Sequence, residues 1–109
     1  MEFNIIATVG TTEAELRPYP GGTTAVVPTD KVRKVYSMIL TNTAASANTL
    51  TVRIYKGDSI EASFDVIVPA TSTMTVVSEV PLLIVPGGRA LKAIASAANV
   101  LLVMTCRDE

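Results

Sequence analysis

The chain has 109 residues, almost half of them hydrophobic, and a formal net charge of −1. This length predicts a single domain spanning residues 1–109, and the near-neutral charge argues against nucleic acid as a partner. Histidine is absent, which removes the commonest general base and the commonest zinc ligand. The chain contains 14 valines, 8 isoleucines and 14 threonines, and these β-branched side chains favour β-structure throughout.

The sequence also predicts whether the chain carries a signal peptide or a membrane span, and in which redox compartment it matures. The N-terminal segment is not expected to be a signal peptide, because Glu2 precedes an apolar run that is too short. No apolar stretch approaches the ~18 residues that span a bilayer, so no membrane partner is expected. The single cysteine, Cys106, cannot form an internal disulfide, and this favours maturation in a reducing compartment.

Short strands are predicted from the start of the chain. FNIIATV (3–9) is the first, and TTAVVP (23–28) is another short strand that ends at a proline turn. Between them, ELRPY (15–19) is at best a short edge piece, because Pro18 cannot donate a hydrogen bond to a ladder.

The segment KVRKVYSMILTN, residues 31–42, is the next predicted strand. Both of its faces are apolar, so it is expected to be covered on both sides. One face would present Tyr36, Met38 and Leu40, and the other Val35 and Ile39.

Strict alternation of apolar and polar residues follows in NTLTVRIYK (48–56) and IEASFDVIV (60–68), which are joined across the turn residues Gly57–Ser59. Two such runs predict a β-hairpin. After it, TSTMTVVSEV (71–80) and PLLIV (81–85) are rich in β-branched residues and are predicted to be strands.

In RALKAIAS (89–96), residue propensity and sequence context disagree. Alanine, leucine and lysine are good helix formers, but the segment lies between a Pro-Gly-Gly turn and the β-rich run VLLVMTC (100–106). A helix of about eight residues without an N-cap would be too short to be stable. We therefore predict a strand with Leu91 and Ala93 facing the core.

In total about eight strands are expected, with turn signals every ~8–12 residues, which is typical of an all-β sandwich or barrel.

No set of side chains matches a catalytic or metal site. Glu61 and Asp65 share a strand face, but four residues along a strand is roughly 13 Å, beyond the roughly 5–9.5 Å of glycosidase carboxylate pairs. Cys106 has no histidine to activate it and is in phase with the core positions of the last strand. Asp30 and Asp58 lie in loops without ligand spacing for calcium. We expect no enzyme activity and no cofactor.

Glycine pairs and basic residues also have ordinary interpretations. Gly21–Gly22 and Gly87–Gly88 each follow a proline and precede strands, whereas a phosphate cradle needs a following helix, so tight turns are predicted. The basic cluster Lys31, Arg33 and Lys34 is predicted to be a solvated face rather than a nucleic-acid site.

Four apolar residues lie on the strand faces opposite the predicted core. Ile67, Ile94, Leu101 and Val103 alternate out of phase with the core positions. Neighbouring strands or loops could cover them, or they could form an interface with another subunit, because a chain this small has little material to cover both faces. These four residues are the candidate interface with further copies of the chain or with another protein.

Three segments, in order, resemble small virion proteins of tailed phages. VPTDKVRKVYSMILTNTAASANTLTVRIYKG (27–57) has a proline turn, a strand ending in Asn42, a small-residue loop and an alternating strand. VPATSTMTV (68–76) is similar to the next strand of those proteins. PLLIVPGGRALKAIASAANVLLVM (81–104) is similar to their closing hairpins, although Arg89 stands where they often have an acid.

The resemblance implies a jelly-roll-like antiparallel sandwich that decorates or cements a capsid, or that sits at a head–tail junction, often as a trimer. The expected function is then that of a non-enzymatic virion structural protein assembled in the host cytoplasm. Its partners would be its own copies and the major capsid protein or another virion protein. The alternative is a carbohydrate- or receptor-binding sandwich of a fibre or a secreted protein. That function would need an aromatic or calcium-bound loop site, and only Tyr19 and Tyr55 are aromatic residues placed to face solvent.

Overall fold

The computed structural model describes residues 2–97 and 99–109. Within these ranges the chain forms ten β-strands and no helix. The strands are β1 (Glu2–Val9), β2 (Ala14–Glu15), β3 (Pro18–Tyr19), β4 (Arg33–Asn42), β5 (Asn48–Lys56), β6 (Ser59–Val68), β7 (Ser72–Val77), β8 (Leu83–Val85), β9 (Arg89–Ala95) and β10 (Val100–Asp108).

The strands pair antiparallel in two sheets. The first sheet has the order β3-β1-β10-β4-β7, with β8 also paired to β4, and the second has the order β2-β9-β5-β6. Apart from the short additions β3 and β8, this arrangement is a jelly roll, in which successive pairs of strands are nested inside one another. The predicted antiparallel sandwich is confirmed. It has ten strands rather than about eight because very short edge pieces also pair.

The core between the sheets consists of small and branched aliphatic side chains. They come from alternate positions of β1, β4, β5, β9 and β10, as the alternation in the sequence predicts. Burying one such side chain contributes roughly 1.5–3 kcal/mol to folding. The largest fully buried members include Ile5, Leu16, Leu40, Leu50, Leu91, Leu102 and Met104.

The conflict between propensity and context in residues 89–96 is resolved in favour of the strand. β9 pairs with β5 along its whole length and with β2 on its other side. Leu91 and Ala93 are buried, as predicted, whereas Lys92 and Ile94 point outward. Two neighbouring strands therefore supply the hydrogen bonds that a short isolated helix would have to make for itself.

A β-bulge changes the predicted faces of β4. Val35 pairs with Cys106 and Ser37 pairs with Thr105, so Tyr36 is an extra residue on β4. Val35 and Met38 are therefore both buried, although they were expected on opposite faces. The extra residue resets the alternation, and it leaves Tyr36 outside the core, where the guanidinium of Arg107 lies over its ring.

A second bulge lies at the start of β6. Ile54 pairs with Ala62 but Tyr55 pairs with Ile60, so Glu61 is the extra residue. The alternation of residues 60–68 alone would place Ile60 on the same side as Ala62 and Phe64, but the bulge makes it an exposed residue of the outer face.

The strand predicted at 23–28 is not formed. This segment makes one isolated bridge, between Val26 and Ala90. A regular ladder does not form here, because the amide of Val26 donates instead to the hydroxyl of Thr24 at 3.1 Å. Pro28, in addition, has no amide to donate. Val27 nevertheless lies in the core, as an extended chain over the end of β9.

Arg33 is buried rather than solvated, which corrects the interpretation of the basic cluster. Its guanidinium donates two hydrogen bonds to Asp108, at 2.8 and 3.0 Å, and lies 4.8 Å from the ring centroid of Phe3. Its side chain is 4% exposed and that of Asp108 is 19% exposed. A two-pronged ion pair of this kind neutralises the buried charge.

Asn42 joins two loops at one end of the sandwich. Its side-chain amide donates to the carbonyl oxygens of Ser46, Val68 and Pro69 at 3.0–3.2 Å. Its carbonyl oxygen accepts a hydrogen bond from the amide of Ala44 at 3.0 Å. The side chain is buried, so these bonds fix the loop after β4 against the loop after β6.

The two long sides of the sandwich differ. On one side, the chain crosses from β2 in the second sheet to β3 in the first, and the buried Leu16 lies in this crossing. On the other side, no pairing joins the edge strands β6 and β7. There Phe64, Val66 and Met74 are only half-buried, and Val76 is exposed. We call this second side the open side.

Candidate interaction surfaces

One part of the outer face of the first sheet, spanning four strands, carries no titratable side chain, whereas the adjoining row Glu2-Arg107-Lys34 is charged. The twelve outward residues of the uncharged part are five aliphatic residues, five threonines, one serine and one asparagine. They form the cross-strand rows Asn4-Thr105-Ser37-Val77, Ile6-Val103-Ile39-Thr75 and Thr8-Leu101-Thr41-Thr73. We call these twelve residues the uncharged face.

Much of the aliphatic surface on the uncharged face is open to solvent. Ile6, Ile39 and Leu101 are between 38% and 43% exposed, and Val77 is 73% exposed. With strands ~4.8 Å apart and a rise of ~3.4 Å per residue, the face covers roughly 350 Å². The absence of charge, together with solvent-exposed aliphatic side chains, makes this face a candidate for contact with another molecule.

A shallow cavity of about 280 Å³ adjoins one end of the uncharged face. Five of its six lining residues carry a hydroxyl group, and the hydroxyls of Thr41 and Thr73 lie 3.1 Å apart across the two strands. The lining contains no aromatic ring and no charge. Its residues are Thr41, Asn42, Thr43, Thr71, Ser72 and Thr73.

The outer face of the second sheet is charged, in contrast. Glu13 accepts hydrogen bonds from Arg53 at 2.9 Å and from the hydroxyl of Tyr55 at 2.8 and 2.9 Å. The ammonium of Lys92 lies 4.4 Å from the centroid of the Tyr55 ring. This network links the chain before β2 to β5 and β9, so its charges have partners within the protein.

The network also shifts the ionisation of its members. Burial alone would raise the pKa of Glu13, but the hydrogen bonds from Tyr55 and Arg53, together with the charge of Arg53, outweigh burial and lower that pKa. The hydrogen bond to Glu13 raises the pKa of Tyr55, and burial adds to this shift.

Glu13→Gln should therefore destabilise the protein in a pH-dependent way. The pKa of Glu13 is lower in the folded protein than in the unfolded chain, so its carboxylate stabilises the fold above the unfolded value of 4.5 and this contribution is lost as the pH falls through the folded value. At pH 7 the loss should be about 1 kcal/mol. Urea unfolding at several pH values should show the difference from wild type shrinking towards zero in acid. Asp58→Asn, on the exposed turn, is the control, and a Glu13→Gln effect that grows in acid would contradict the argument.

The structure divides the four predicted interface residues between two surfaces. Leu101 and Val103 are neighbours within the uncharged face. Ile67 and Ile94 lie on the outer face of the second sheet, on β6 and β9, with β5 between them. Ile67 is 65% exposed, whereas Ile94 is half-buried. One flat partner cannot contact all four residues of a single copy.

The acidic residues considered for catalysis have separate structural partners. Glu61 accepts hydrogen bonds from Arg89 at 3.2 and 3.4 Å. Asp65 accepts one from the hydroxyl of Thr51 at 2.8 Å. Both acids are exposed positions of β6, and neither lines the shallow cavity described above.

Cys106 is a core residue, as predicted from its phase. It is fully buried, and burial raises the pKa of its thiol to about 12. The side chain is therefore a neutral thiol at physiological pH and packs as a small apolar group.

The glycine pairs form turns, as predicted. Gly88 has a φ of 82°, and Gly21 a φ of 80°, which are left-handed conformations that favour glycine. A Cβ at Gly87 would lie 2.7 Å from three backbone carbonyl oxygens of the Pro28–Lys31 turn. The absence of a side chain at Gly87 therefore allows its turn to lie directly against the Pro28–Lys31 turn.

In residues 2–97 and 99–109, no three cysteine, aspartate or glutamate side chains come together as a group that could hold a metal ion. The described chain also contains no helix long and apolar enough to cross a membrane.

Comparison with known proteins gives no assignment. No protein-family model matches the sequence, and no curated protein is significantly similar to it. The surfaces of the fold are therefore the remaining indication of function.

Proposed function

We propose that the protein is a non-enzymatic structural subunit of a virion, of the capsid decoration or cement type. It acts by burying the uncharged face against the major capsid protein or another virion protein. It is made and assembled in the host cytoplasm and then remains in the particle.

The uncharged face is the observation that carries this proposal. Its twelve residues include no charge, whereas the outer face of the second sheet is covered by an ion-pair network. An uncharged patch of this kind suits the core of a protein–protein contact, because interface cores are depleted of charged residues. A cement subunit needs no reactive group, and the neutral buried thiol of Cys106 is consistent with that.

The fold and the sequence resemblance add support of a weaker kind. Jelly rolls are used by viral capsid proteins, by lectins and by cupins, so the fold alone does not choose a function. The resemblance of residues 27–104 to small phage virion proteins favours the first of these classes.

The hydroxyl-lined cavity is the observation that favours the alternative, a carbohydrate- or receptor-binding module. Threonine and serine hydroxyls could exchange hydrogen bonds with a sugar. However, the lining residues include no aromatic ring for stacking, and sugar-binding sites usually combine apolar or aromatic surface with a few polar groups. The exposed Tyr19 does not supply this ring. It lies on β3, whereas the cavity is partly lined by β7, at the opposite edge of the first sheet.

The presence of the chain in purified particles tests the proposal directly. Mass spectrometry of gradient-purified virions should identify the protein in a fixed ratio to the major capsid protein. Its absence from particles that are infectious and complete would overturn the assignment.

Substitutions in the uncharged face should then separate binding from folding. Leu101→Lys and Thr75→Lys place an unpaired charge in the buried contact, which should weaken binding to particles by at least about 100-fold. Each variant should remain folded, because exposed positions change stability by about 0.5 kcal/mol. Co-sedimentation with particles that lack the protein is the measurement.

Thr51→Lys is the matched control for these variants. It lies on the outer face of the second sheet and opposite Asp65, which can pair with the new lysine. This variant should bind particles like wild type. Equal binding by Leu101→Lys would show that another surface makes the contact.

A further inference from the structure

We infer that two copies of the protein form a twofold dimer in which β6 pairs antiparallel with β6 of the second copy. The paired strands would join the second sheets of the two sandwiches into one continuous sheet, with the order β2-β9-β5-β6-β6-β5-β9-β2.

The first observation is the free backbone edge of β6. This ten-residue strand pairs with β5 on one side and with no strand on the other. Apart from its pairing with β5, the β6 backbone accepts a hydrogen bond from the side chain of Asn42, within the described residues. This bond goes to the carbonyl of Val68, at the very end of the strand. A long edge of this kind has unpaired amides and carbonyls that can pair with another strand.

The second observation is the apolar surface left uncovered beside that edge. Ala62, Phe64 and Val66 occupy the core-facing positions of β6, yet Ala62 is exposed and the other two are half-buried. Met74 and Val76 of β7 line the opposite wall of the open side. In the dimer, the same residues of the second copy cover this gap, so the open sides of the two sandwiches close one another.

Among the registers that pair most of β6, the charges favour one. Within residues 62–68, beyond the bulge at Glu61, side chains keep their faces only when paired residues are both odd or both even in number. Centring the pair on Ser63 would oppose Glu61 to Asp65 of the second copy, and centring it on Asp65 would oppose two aspartates, which is unfavourable. Centring it on Phe64 opposes Ser63 to Asp65 of the second copy, so a hydroxyl can donate to the carboxylate on each side of the axis.

The same register matches the apolar residues. On the core side, Phe64 lies beside Phe64 of the second copy, and Ala62 lies beside Val66. Charge and apolar surface therefore favour one alignment, and the partner that fits it is a second copy of this chain.

The dimer also changes the size of the uncharged face. Its twofold axis is normal to the second sheet, so the first sheets of both copies lie on the same side of the dimer. The two uncharged faces together offer roughly 700 Å², close to the ~800 Å² per partner of a standard stable interface. This consequence rests on the proposed function, whereas the dimer itself does not.

The test uses the purified protein alone, in sedimentation equilibrium or light scattering across a range of concentrations. Wild type should dimerise reversibly. Ser63→Asp places a second carboxylate opposite Asp65 of the other copy on both sides of the axis, and it should weaken dimerisation at least about tenfold. The position is exposed and pairs across the strand with Arg53, so the monomer should tolerate the acid.

A charge-reversal variant should restore the contact. Ser63→Asp combined with Asp65→Lys opposes an acid to a lysine twice, and it should dimerise at least as tightly as wild type. Thr75→Asp, on the uncharged face, should leave the dimer unchanged.

Three results would overturn the inference. They are a monomeric wild type, a dimer that Ser63→Asp does not weaken, and a dimer that the double variant fails to restore. None of them bears on particle binding through the uncharged face, so failure of the dimer is distinguishable from failure of the proposed function.

Discussion

Asp108→Ala should lower the free energy of unfolding by about 3 kcal/mol, because removing one partner of a buried ion pair leaves an uncompensated charge. The guanidinium of Arg33 is 4% exposed and would lose both of its hydrogen bonds to the carboxylate. Its contact with the ring of Phe3 would remain, but a ring face is a weaker partner than a carboxylate. Urea unfolding followed by circular dichroism gives the measurement.

Two further variants test whether the loss comes from leaving a buried charge unpaired or from losing any ion pair. Glu109→Ala removes the neighbouring pair with Lys34, in which the side chains of Lys34 and Glu109 are 30% and 42% exposed, and it should cost much less than Asp108→Ala because exposed ion pairs contribute little. The double variant Arg33→Met with Asp108→Leu removes both charges and should recover most of the loss. An equal loss in Glu109→Ala would show that burial is not the reason.

Asn42→Ala should destabilise the protein by about 3 kcal/mol, since it leaves several carbonyl oxygens and one amide without a partner. The side chain bonds Ser46, Val68 and Pro69 through its amide and Ala44 through its carbonyl oxygen. The loops after β4 and β6 would lose their connection at the same time. Thermal or urea unfolding should show the loss without any change in strand content.

Asn42→Asp identifies which half of the amide matters. This variant keeps an acceptor for Ala44 but sets a carboxylate oxygen against three carbonyl oxygens, so it should be at least as unstable as Asn42→Ala at pH 7. Thr43→Ala, at the exposed neighbouring position, should change stability by about 0.5 kcal/mol. A stable Asn42→Asp would mean that the amide donors contribute little.

The alternation of apolar residues was enough to predict most of the fold. The hairpin of β5 and β6, the strand β9 and the buried positions of β10 all follow from residues that alternate with a period of two. For residues 89–96, context decided correctly against propensity, because Ala93 and Lys92 pair with neighbours on both sides.

Register shifts could not be predicted, because a bulge is a property of two strands rather than one. The extra residue at Tyr36 places Val35 and Met38 on the same side, and no pattern within residues 31–42 marks it.

The burial of Arg33 was not predicted for a related reason. Its partner, Asp108, is distant in sequence, and a lone arginine beside two lysines looks like a solvated cluster.

The candidate surface was predicted in part. Alternation showed that Leu101 and Val103 face away from the core, but it could not show that Ile67 and Ile94 belong to the other sheet. Sheet membership depends on the topology, which the periodicity of single strands does not contain. The threonines at 71, 73 and 75 have the same outward phase, and this absence of charge along a strand was the available signal for the uncharged face.

The nested pairing of the strands sets the order in which the molecule can be completed. β10 is the last strand along the chain, yet it lies inside the first sheet, between β1 and β4. Before residues 100–108 have been synthesised, β1 has only the two-residue β3 to pair with in that sheet. The β5–β6 hairpin needs only local contacts and can form early. On the ribosome, β1 therefore lacks its main partner until residues 100–108 have been synthesised, and the first sheet can close only after β10 has emerged.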